Sequence, residues 1–150
     1  MNIVLDAFGG DNAPLEVIKG AIDAQRDFGI DITLVGDEGK IKFCAKNNAL
    51  DISMLKIKHA DTVIDVCEEP TNVIKSKKDC SMAVGMQLVA DGQGDAFVSA
   101  GSTGALVVGA TFIVKRLKGI KRPALATILP TAGEPTMLLD SGANSDCRPE

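Results

Sequence analysis

Short apolar runs alternate with longer amphipathic segments along the chain. Runs rich in valine, isoleucine and leucine predict buried strands, at residues 2–7, 31–36, 55–60 and 95–100. Segments with a helical spacing of apolar residues predict the helices between them, at residues 14–28, 37–48, 81–92 and 102–119. The chain therefore follows a repeated alternation of strand and helix.

The first helix has the clearest boundaries. Leu15, Ile18 and Ala21 fall on one face, which predicts the side that packs on the sheet. Pro14 suits the start of a helix because it has no N–H group to leave unpaired. Gly29 suits the left-handed residue that ends one.

Strands that alternate with helices are typical of a mainly parallel sheet covered on both faces. Two further strands are predicted at residues 124–130 and 136–141, side by side and joined by the turn at residues 131–135. We therefore expect a three-layer α/β/α fold, as a single α/β domain over residues 1–150. Ligands bind such sheets beyond the carboxyl ends of the strands.

Composition narrows the possible partners. The 150 residues are 45% hydrophobic, and a chain of this size buries roughly 68–70% of its surface on folding, enough for a core of its own. Sixteen basic and 20 acidic residues give a net charge of −4, without a long basic block. Trp and Tyr are absent. Nucleic-acid binders depend on positive surfaces and stacking aromatics, so we expect no nucleic-acid partner.

The four cysteines form no C-x-x-C pair, so neither a zinc site nor a disulfide framework is indicated. The amino terminus lacks the basic region and cleavage site of a signal peptide, and the longest apolar run, residues 105–114, is too short for a membrane span. We expect a cytoplasmic chain with no metal and no cofactor.

The final Pro149-Glu150 pair is typical of a helix start, so we expect the N-terminal part of a longer protein.

Three glycine-rich turns follow predicted strands, at residues 8–13, 101–104 and 141–144. The turns after parallel strands share one edge of the sheet, so we expect all three to line a common cleft. A single glycine-containing turn after a strand is common, so only the convergence of the three turns indicates a ligand site. At residues 101–104, free N–H groups of a helix start could hold an anion, with hydrogen bonds to a charged group contributing about 1.5–3 kcal/mol each. The alternative is that Ser102 simply caps the helix.

Several familiar motifs are absent. No Gly-Lys-Ser/Thr follows a glycine loop and no G-x-G-x-x-G occurs, so nucleotide and dinucleotide sites are not indicated. The basic cluster at residues 75–78 is typical of a solvated face. His59, the only histidine, is expected to be structural or on the surface, and Cys147 lacks a second histidine to activate it. Asp11 is expected to cap the first helix, whereas Asp6 and Asp140 suit capping or substrate orientation equally.

Four motifs together resemble the bacterial phosphate acyltransferase family, PlsX. They run in the same order as in the family, and the first is close to a signature. The motifs are LDAFGGDNAP at residues 5–14, VSAGSTGA at 98–105, KRPALATILPT at 121–131 and LLDSGANSDCRPE at 138–150.

The resemblance implies an acyltransferase of phospholipid synthesis. Orthophosphate attacks the thioester of a long-chain acyl-acyl carrier protein, giving acyl phosphate and free carrier protein. The implied fold is similar to that of phosphotransacetylases and the isocitrate dehydrogenase-like group. The resemblance implies a homodimer that associates peripherally with the inner face of the membrane. It assigns this association to the missing C-terminal half.

The resemblance and the turn positions together predict the site residues. Because phosphate is the nucleophile, the site must orient an anion and stabilise the thioester oxyanion, without an activated serine or cysteine. Ser102 and Asn144 are expected to act in catalysis, Asn144 as an amide donor to the oxyanion. Phosphate contacts are expected at Gly9, Gly10, Gly101, Ser102, Thr103 and Gly104.

The chain departs from the family pattern in three places. Phe8 stands where Met is more common, Lys75 where Arg is often found, and Cys80-Ser81 where the family has a pair of serines. A lysine lacks the two-pronged guanidinium, so at Lys75 an anion would meet a point charge.

Two other functions remain open from the sequence. One is a short-chain phosphotransacetylase that uses acetyl-CoA, and the other is a non-catalytic binding fragment. A dehydrogenase is disfavoured by the missing dinucleotide motif. We also expect the 150-residue chain alone to associate, because part of its sheet would be exposed.

Overall fold

In a computed structural model of the chain, residues 1–121 and 123–140 are described. The chain divides into two compact units, residues 1–115 and residues 116–150. The first unit contains strands β1 Asn2–Asp6, β2 Asp31–Gly36, β3 Lys56–His59 and β4 Ala96–Val98, and helices α1 Leu15–Phe28, α2 Glu38–Asn47, α3 Ser81–Ala90 and α4 Thr103–Gly109. It also contains a 3₁₀ turn, Pro70–Val73, and a π-helical segment, Ala110–Val114. The second unit contains strands β5 Ala126–Leu129 and β6 Thr136–Leu139.

The four strands of the first unit form one parallel sheet in the order β3-β2-β1-β4. Asn2 lies opposite Asp31 on β2, and Ile3 lies opposite Ala96 on β4. The predicted parallel sheet is confirmed. The chain first builds outward from β1 to β2 and β3, then returns to place β4 on the other side of β1.

Helices cover both faces of this sheet. Side chains alternate between the two faces along a strand, so Leu34 packs toward α1 and α2 while Val35 packs toward α3. Ile18 of α1 and Ile41 of α2 are fully buried in the first of these two cores. The predicted three-layer α/β/α arrangement is therefore confirmed.

The ends of α1 show which boundary predictions were right. Gly29 adopts a left-handed conformation with φ of 62°, and its N–H donates to the carbonyl of Gln25. Pro14 occupies the position just before the first helical residue. The prediction that Asp11 caps this helix is wrong, because no side chain donates or accepts at the cap of α1.

The fourth helix is shorter than its predicted span of residues 102–119. Regular α-helix ends at Gly109, and the Ala110–Val114 segment is π-helical. Thr111 donates its hydroxyl to the carbonyl of Val107 at 2.7 Å, a bond of the kind that bends helices. Lys115, with φ of 74°, then ends the first unit. Valine, isoleucine and threonine in this stretch have the right apolar spacing but low helix propensity.

The second unit contains a β-hairpin within its described residues. Strands β5 and β6 pair antiparallel, with Ala126 opposite Leu139 and Leu129 opposite Thr136. Both strands lie where the sequence predicts them, side by side. Their side chains are exposed.

Candidate functional site

The reversal of strand order places a crevice between β1 and β4. The chain leaves the carboxyl end of β1 toward α1 on one face of the sheet, and leaves β4 toward α4 on the other face. The two loops consequently separate at neighbouring strand ends. In open α/β sheets this switch point is where ligands bind.

The two glycine turns of the first unit meet at this point. Gly9 is buried, and a Cβ built on Gly101 would lie 3.4 Å from its Cα. Gly10 has φ of 104°, which a side chain rarely tolerates, and packs against Ala100. The predicted convergence holds for these two turns. The third turn, including Asn144, lies outside the described residues.

A carboxylate and a hydroxyl join the strands beneath the turns. Asp6 ends β1 and is only 3% exposed. Its Oδ1 accepts from the Phe8 N–H at 3.1 Å, and its Oδ2 accepts from the Ser99 hydroxyl at 2.8 Å. Ser99 in turn accepts from the Gly101 N–H at 3.1 Å. The motifs do not predict Ser99 as a site residue, although its position directly after a strand end gave one signal.

The hydrogen bonds change which groups of the second turn could face an anion. The Gly101 N–H is directed at Ser99. Ser102 is 7% exposed, and its hydroxyl accepts from the Ala105 N–H at 3.3 Å, so it caps α4. Thr103 and Gly104 are exposed and begin the helix, where N–H groups have no partner within the helix. The Ser102 side chain therefore has a structural role, whereas its expected contact with phosphate stays a prediction.

Gly104 has a packing role that the sequence did not reveal. A Cβ on Gly104 would lie 2.8 Å from Cγ of Pro70, in the 3₁₀ turn. The absence of a side chain thus lets the start of α4 approach that turn closely. The 3₁₀ turn therefore lies directly beside the second glycine turn.

The start of α3 also approaches the glycine turns. Cys80 is fully buried, and its Sγ accepts from the Ala83 N–H at 3.4 Å, so the thiol takes the capping role expected of a serine. Burial raises the pKa of the Cys80 thiol, and the Ala83 N–H opposes this only in part. A buried thiol of raised pKa is a poor nucleophile. Met82 extends from the same helix to Gly101, where a Cβ would lie 3.4 Å from its Cε.

Phe8, the residue that replaces the usual methionine, packs over Gly36 at the end of β2. The ring occupies the space where a side chain of residue 36 would lie. The Nζ of Lys40 lies 6.0 Å from the centre of the ring. The Phe8 ring is therefore accommodated by packing against the end of β2.

The lysine cluster and His59 make other contacts or are exposed. Lys77 donates to Glu68 and to the carbonyl of Val63, which ties down the loop before α3, while the other two lysines of its cluster are exposed. His59 accepts from the Glu38 N–H at 3.2 Å, and its other ring nitrogen lies 3.0 Å from Asp61. His59 thus has the surface role predicted for it.

Two larger cavities in the first unit, of about 680 and 570 Å³, have no lining residue from either glycine turn. A smaller cavity, of about 360 Å³, is lined almost entirely by apolar atoms, and its lining includes Asp6, Ser99 and Ala100, which lie next to the turns. The smaller cavity is therefore the one relevant to this site.

Two kinds of feature are absent from the described residues, a membrane span and a metal cluster. No helix among residues 1–121 and 123–140 combines the length and apolar character needed to cross a bilayer. No group of three or more His, Cys, Asp or Glu side chains in the same part of the chain is arranged to hold a metal ion.

Comparison with known proteins identifies the family. A family model described as fatty acid synthesis protein matches residues 1–150. The phosphate acyltransferase of Acetivibrio thermocellus is 46% identical over 150 residues, covering 99% of this chain and 44% of that protein. The phosphate acyltransferase of Herpetosiphon aurantiacus is 48% identical, covering all of this chain and 41% of that protein. The chain therefore spans less than half the length of these relatives.

A solved structure supports the fold independently. EutD phosphotransacetylase from Staphylococcus aureus matches 98% of this chain and 48% of its own, with a TM-score of 0.67 and 23% sequence identity. At that identity the likeness concerns the fold alone. The architecture expected from the resemblance, that of the phosphotransacetylase group, is confirmed. The family model that matches residues 1–150 and the phosphate acyltransferase relatives show that the chain belongs to the family of fatty acid synthesis proteins that includes the phosphate acyltransferases.

Proposed function

We propose that this chain is part of a phosphate acyltransferase that converts a long-chain acyl-acyl carrier protein and orthophosphate into acyl phosphate and free carrier protein. The observation that carries the proposal is the meeting of two glycine turns at the switch point between β1 and β4. Relatives at 46% and 48% identity are phosphate acyltransferases. The activity is assigned to the full-length gene product, of which these residues supply one wall of the site.

The proposed reaction needs little covalent chemistry from the protein. A phosphate oxygen attacks the thioester carbonyl, the carbon–sulfur bond breaks, and the carrier thiolate leaves and takes up a proton. The protein must hold the phosphate near the carbonyl and stabilise the developing oxyanion. Backbone N–H groups suit both tasks because they add no competing nucleophile. The poor reactivity expected of Cys80 is consistent with a direct attack by phosphate.

The backbone around the two turns is proposed to bind the phosphate. Gly9 and Gly10 contribute from the first turn, and residues 101–104 from the second. Because the Gly101 N–H already donates to Ser99, the N–H groups of the exposed residues Thr103 and Gly104 are proposed as the better donors. Asn144 is proposed as the amide donor to the thioester oxyanion. Its Asn144→Asp variant would place a carboxylate there and is expected to reduce kcat.

The apolar cavity beside the site favours a long acyl chain over an acetyl group. It starts at Asp6 and Ser99 and continues between α1 and the β1–β4 edge, past Leu5, Val17 and Val98. A long chain would gain about 0.8 kcal/mol for each CH₂ group buried there, whereas an acetyl group would gain almost none. The cavity thus supports the long-chain substrate.

The assembly is also a proposal. The family resemblance favours a homodimer in the cytoplasm that associates with the inner face of the membrane through residues beyond this chain. Sedimentation of the full-length product with and without anionic vesicles tests both statements. A monomer that stays in the supernatant would contradict them.

The experiment that tests the function compares two thioesters. The full-length product is incubated with orthophosphate and either palmitoyl-acyl carrier protein or acetyl-CoA, and acyl phosphate is trapped with hydroxylamine. We expect phosphate-dependent trapping and thiol release with the palmitoyl substrate. Turnover of acetyl-CoA alone would assign a short-chain phosphotransacetylase, and no turnover of either intact substrate would assign a non-catalytic binding protein.

A further inference from the structure

The bonds between Asp6 and Ser99 have a fixed direction. The Gly101 N–H can only donate, so the Ser99 hydroxyl accepts from it and directs its own proton at Asp6 Oδ2, 2.8 Å away. The lone pairs of the same hydroxyl then face the Gly101 N–H, which donates to it at 3.1 Å. The carboxylate at the end of β1 therefore determines the orientation of the turn after β4.

The carboxylate also fixes its own turn. Its second oxygen accepts from the Phe8 N–H, at the start of the first glycine turn. One buried side chain thus holds both turns, directly on the β1 side and through Ser99 on the β4 side. The 3% exposure of Asp6 leaves it little room to move.

Gly9 closes tightly over this pair. A Cβ on Gly9 would lie 2.5 Å from the Ser99 hydroxyl oxygen and 2.8 Å from Asp6 Oδ2. The first turn therefore rests directly on the two hydrogen-bonded groups. Any displacement of the pair must change the spacing between the turns.

We propose that Asp6 and Ser99 are positioning residues that set the spacing of the two glycine turns for phosphate. The inference rests on the proposed function and assigns a specific task to two side chains that the motifs did not assign. The pair acts on phosphate through the backbone of the two turns. Because both side chains also line the end of the apolar cavity, their loss should raise phosphate KM by a larger factor than thioester KM.

The test measures phosphate KM and thioester KM in the full-length product. We expect Ser99→Ala and Asp6→Asn each to raise phosphate KM about tenfold or more, because a displacement of about 1 Å can cost on the order of 100-fold. The double variant should be little worse than either single variant, since both changes break one linkage. Ser99→Thr keeps the hydroxyl, so its phosphate KM should stay within about threefold of the wild-type value. That change is smaller than the rise of about tenfold or more expected for Ser99→Ala.

A matched control lies in the same sheet, on β1 and β2 and away from the glycine turns. The Thr33 hydroxyl donates to Asn2 Oδ1 at 3.1 Å, again joining neighbouring strands through partly buried side chains. Thr33→Val should leave phosphate KM unchanged even if it lowers stability.

Phosphate binding provides a second measurement. Orthophosphate should raise the unfolding temperature of wild type and Thr33→Val, and raise that of Ser99→Ala less. Equal phosphate KM values and equal temperature shifts for wild type and Ser99→Ala would overturn the positioning role. A wild-type protein that neither turns over nor binds phosphate would instead overturn the proposed function, and this inference with it.

Discussion

The backbone nitrogen of Gly101 lies 2.9 Å from the place where a side chain on Gly9 would begin. These residues belong to different turns and are 92 positions apart in the chain, yet their backbones are in contact. A β-carbon in that space would have to displace backbone, the buried Asp6 carboxylate or the partly buried Ser99 hydroxyl. The contact therefore accounts for glycine at position 9 by close approach.

Gly9→Ala is accordingly expected to lower the free energy of unfolding by about 1–3 kcal/mol, the usual effect of overpacking. It should also raise phosphate KM in the full-length product. Gly20→Ala provides the stability control, because Gly20 lies inside α1 and a Cβ there meets nothing within 4 Å. That change should stabilise by about 0.5–1 kcal/mol. Chemical unfolding that ranks the two variants in the opposite order would contradict the packing described.

Gly85→Ala is expected to be strongly destabilising for a different reason. Gly85 lies in α3, and the ring of Phe97 on β4 occupies the space of its missing side chain. Alanine alone would favour the helix, but here it would push an aromatic ring off the sheet, at a cost of about 1–3 kcal/mol. The double variant Gly85→Ala with Phe97→Leu should regain part of the loss. Thermal unfolding of both variants measures this, and an unchanged melting temperature for Gly85→Ala would show that the ring is placed elsewhere.

Ser102→Ala separates the cap from the proposed phosphate contact. Loss of the hydroxyl should cost about 0.5–2 kcal/mol of stability, because the Ala105 N–H loses its acceptor. Ser102→Thr keeps a hydroxyl and should retain most of the stability. If the hydroxyl also contacts phosphate, phosphate KM should rise in Ser102→Ala. A loss of stability without any change in phosphate KM would leave the cap as the only role of the residue.

Alkylation should distinguish Cys80 from Cys67. The pKa of the Cys80 thiol is raised above its ordinary value of 9.0 by burial, so less thiolate forms at any given pH. Cys67 is exposed, and iodoacetamide should modify it first. The stability that Cys80 contributes as a neutral thiol is complete below pH 9.0 and is lost as pH rises through its folded-state pKa. Mass spectrometry of the two peptides at pH 8 measures the order, and faster modification of Cys80 would contradict its burial.

Much of the first unit follows from local patterns. The β2 strand spans Asp31–Gly36, the predicted range, because its apolar run is buried on both faces of the sheet. The fourth helix was predicted too long, since periodicity alone ignores the low helix propensity of its Val, Ile and Thr residues. The cap by Cys80 was not expected, because a thiol is an unusual acceptor at a helix start.

The site was predictable only in part, for a reason of topology. Glycine turns after strands are visible in the sequence, and parallel strands place them at one edge. The order β3-β2-β1-β4 is not visible, however, and that order alone makes β1 and β4 neighbours. The contact of Asp6 with Ser99 and the packing of Gly104 on Pro70 depend on it. The sequence motifs alone could therefore predict neither of these two contacts.

The most direct measurement is the position of bound phosphate in a crystal structure of the full-length product grown with orthophosphate and without thioester. The account predicts an ordered phosphate at the carboxyl ends of β1 and β4, within hydrogen-bonding distance of backbone N–H groups from both glycine turns. Phosphate ordered elsewhere in a catalytically active protein, with both turns empty, would contradict it.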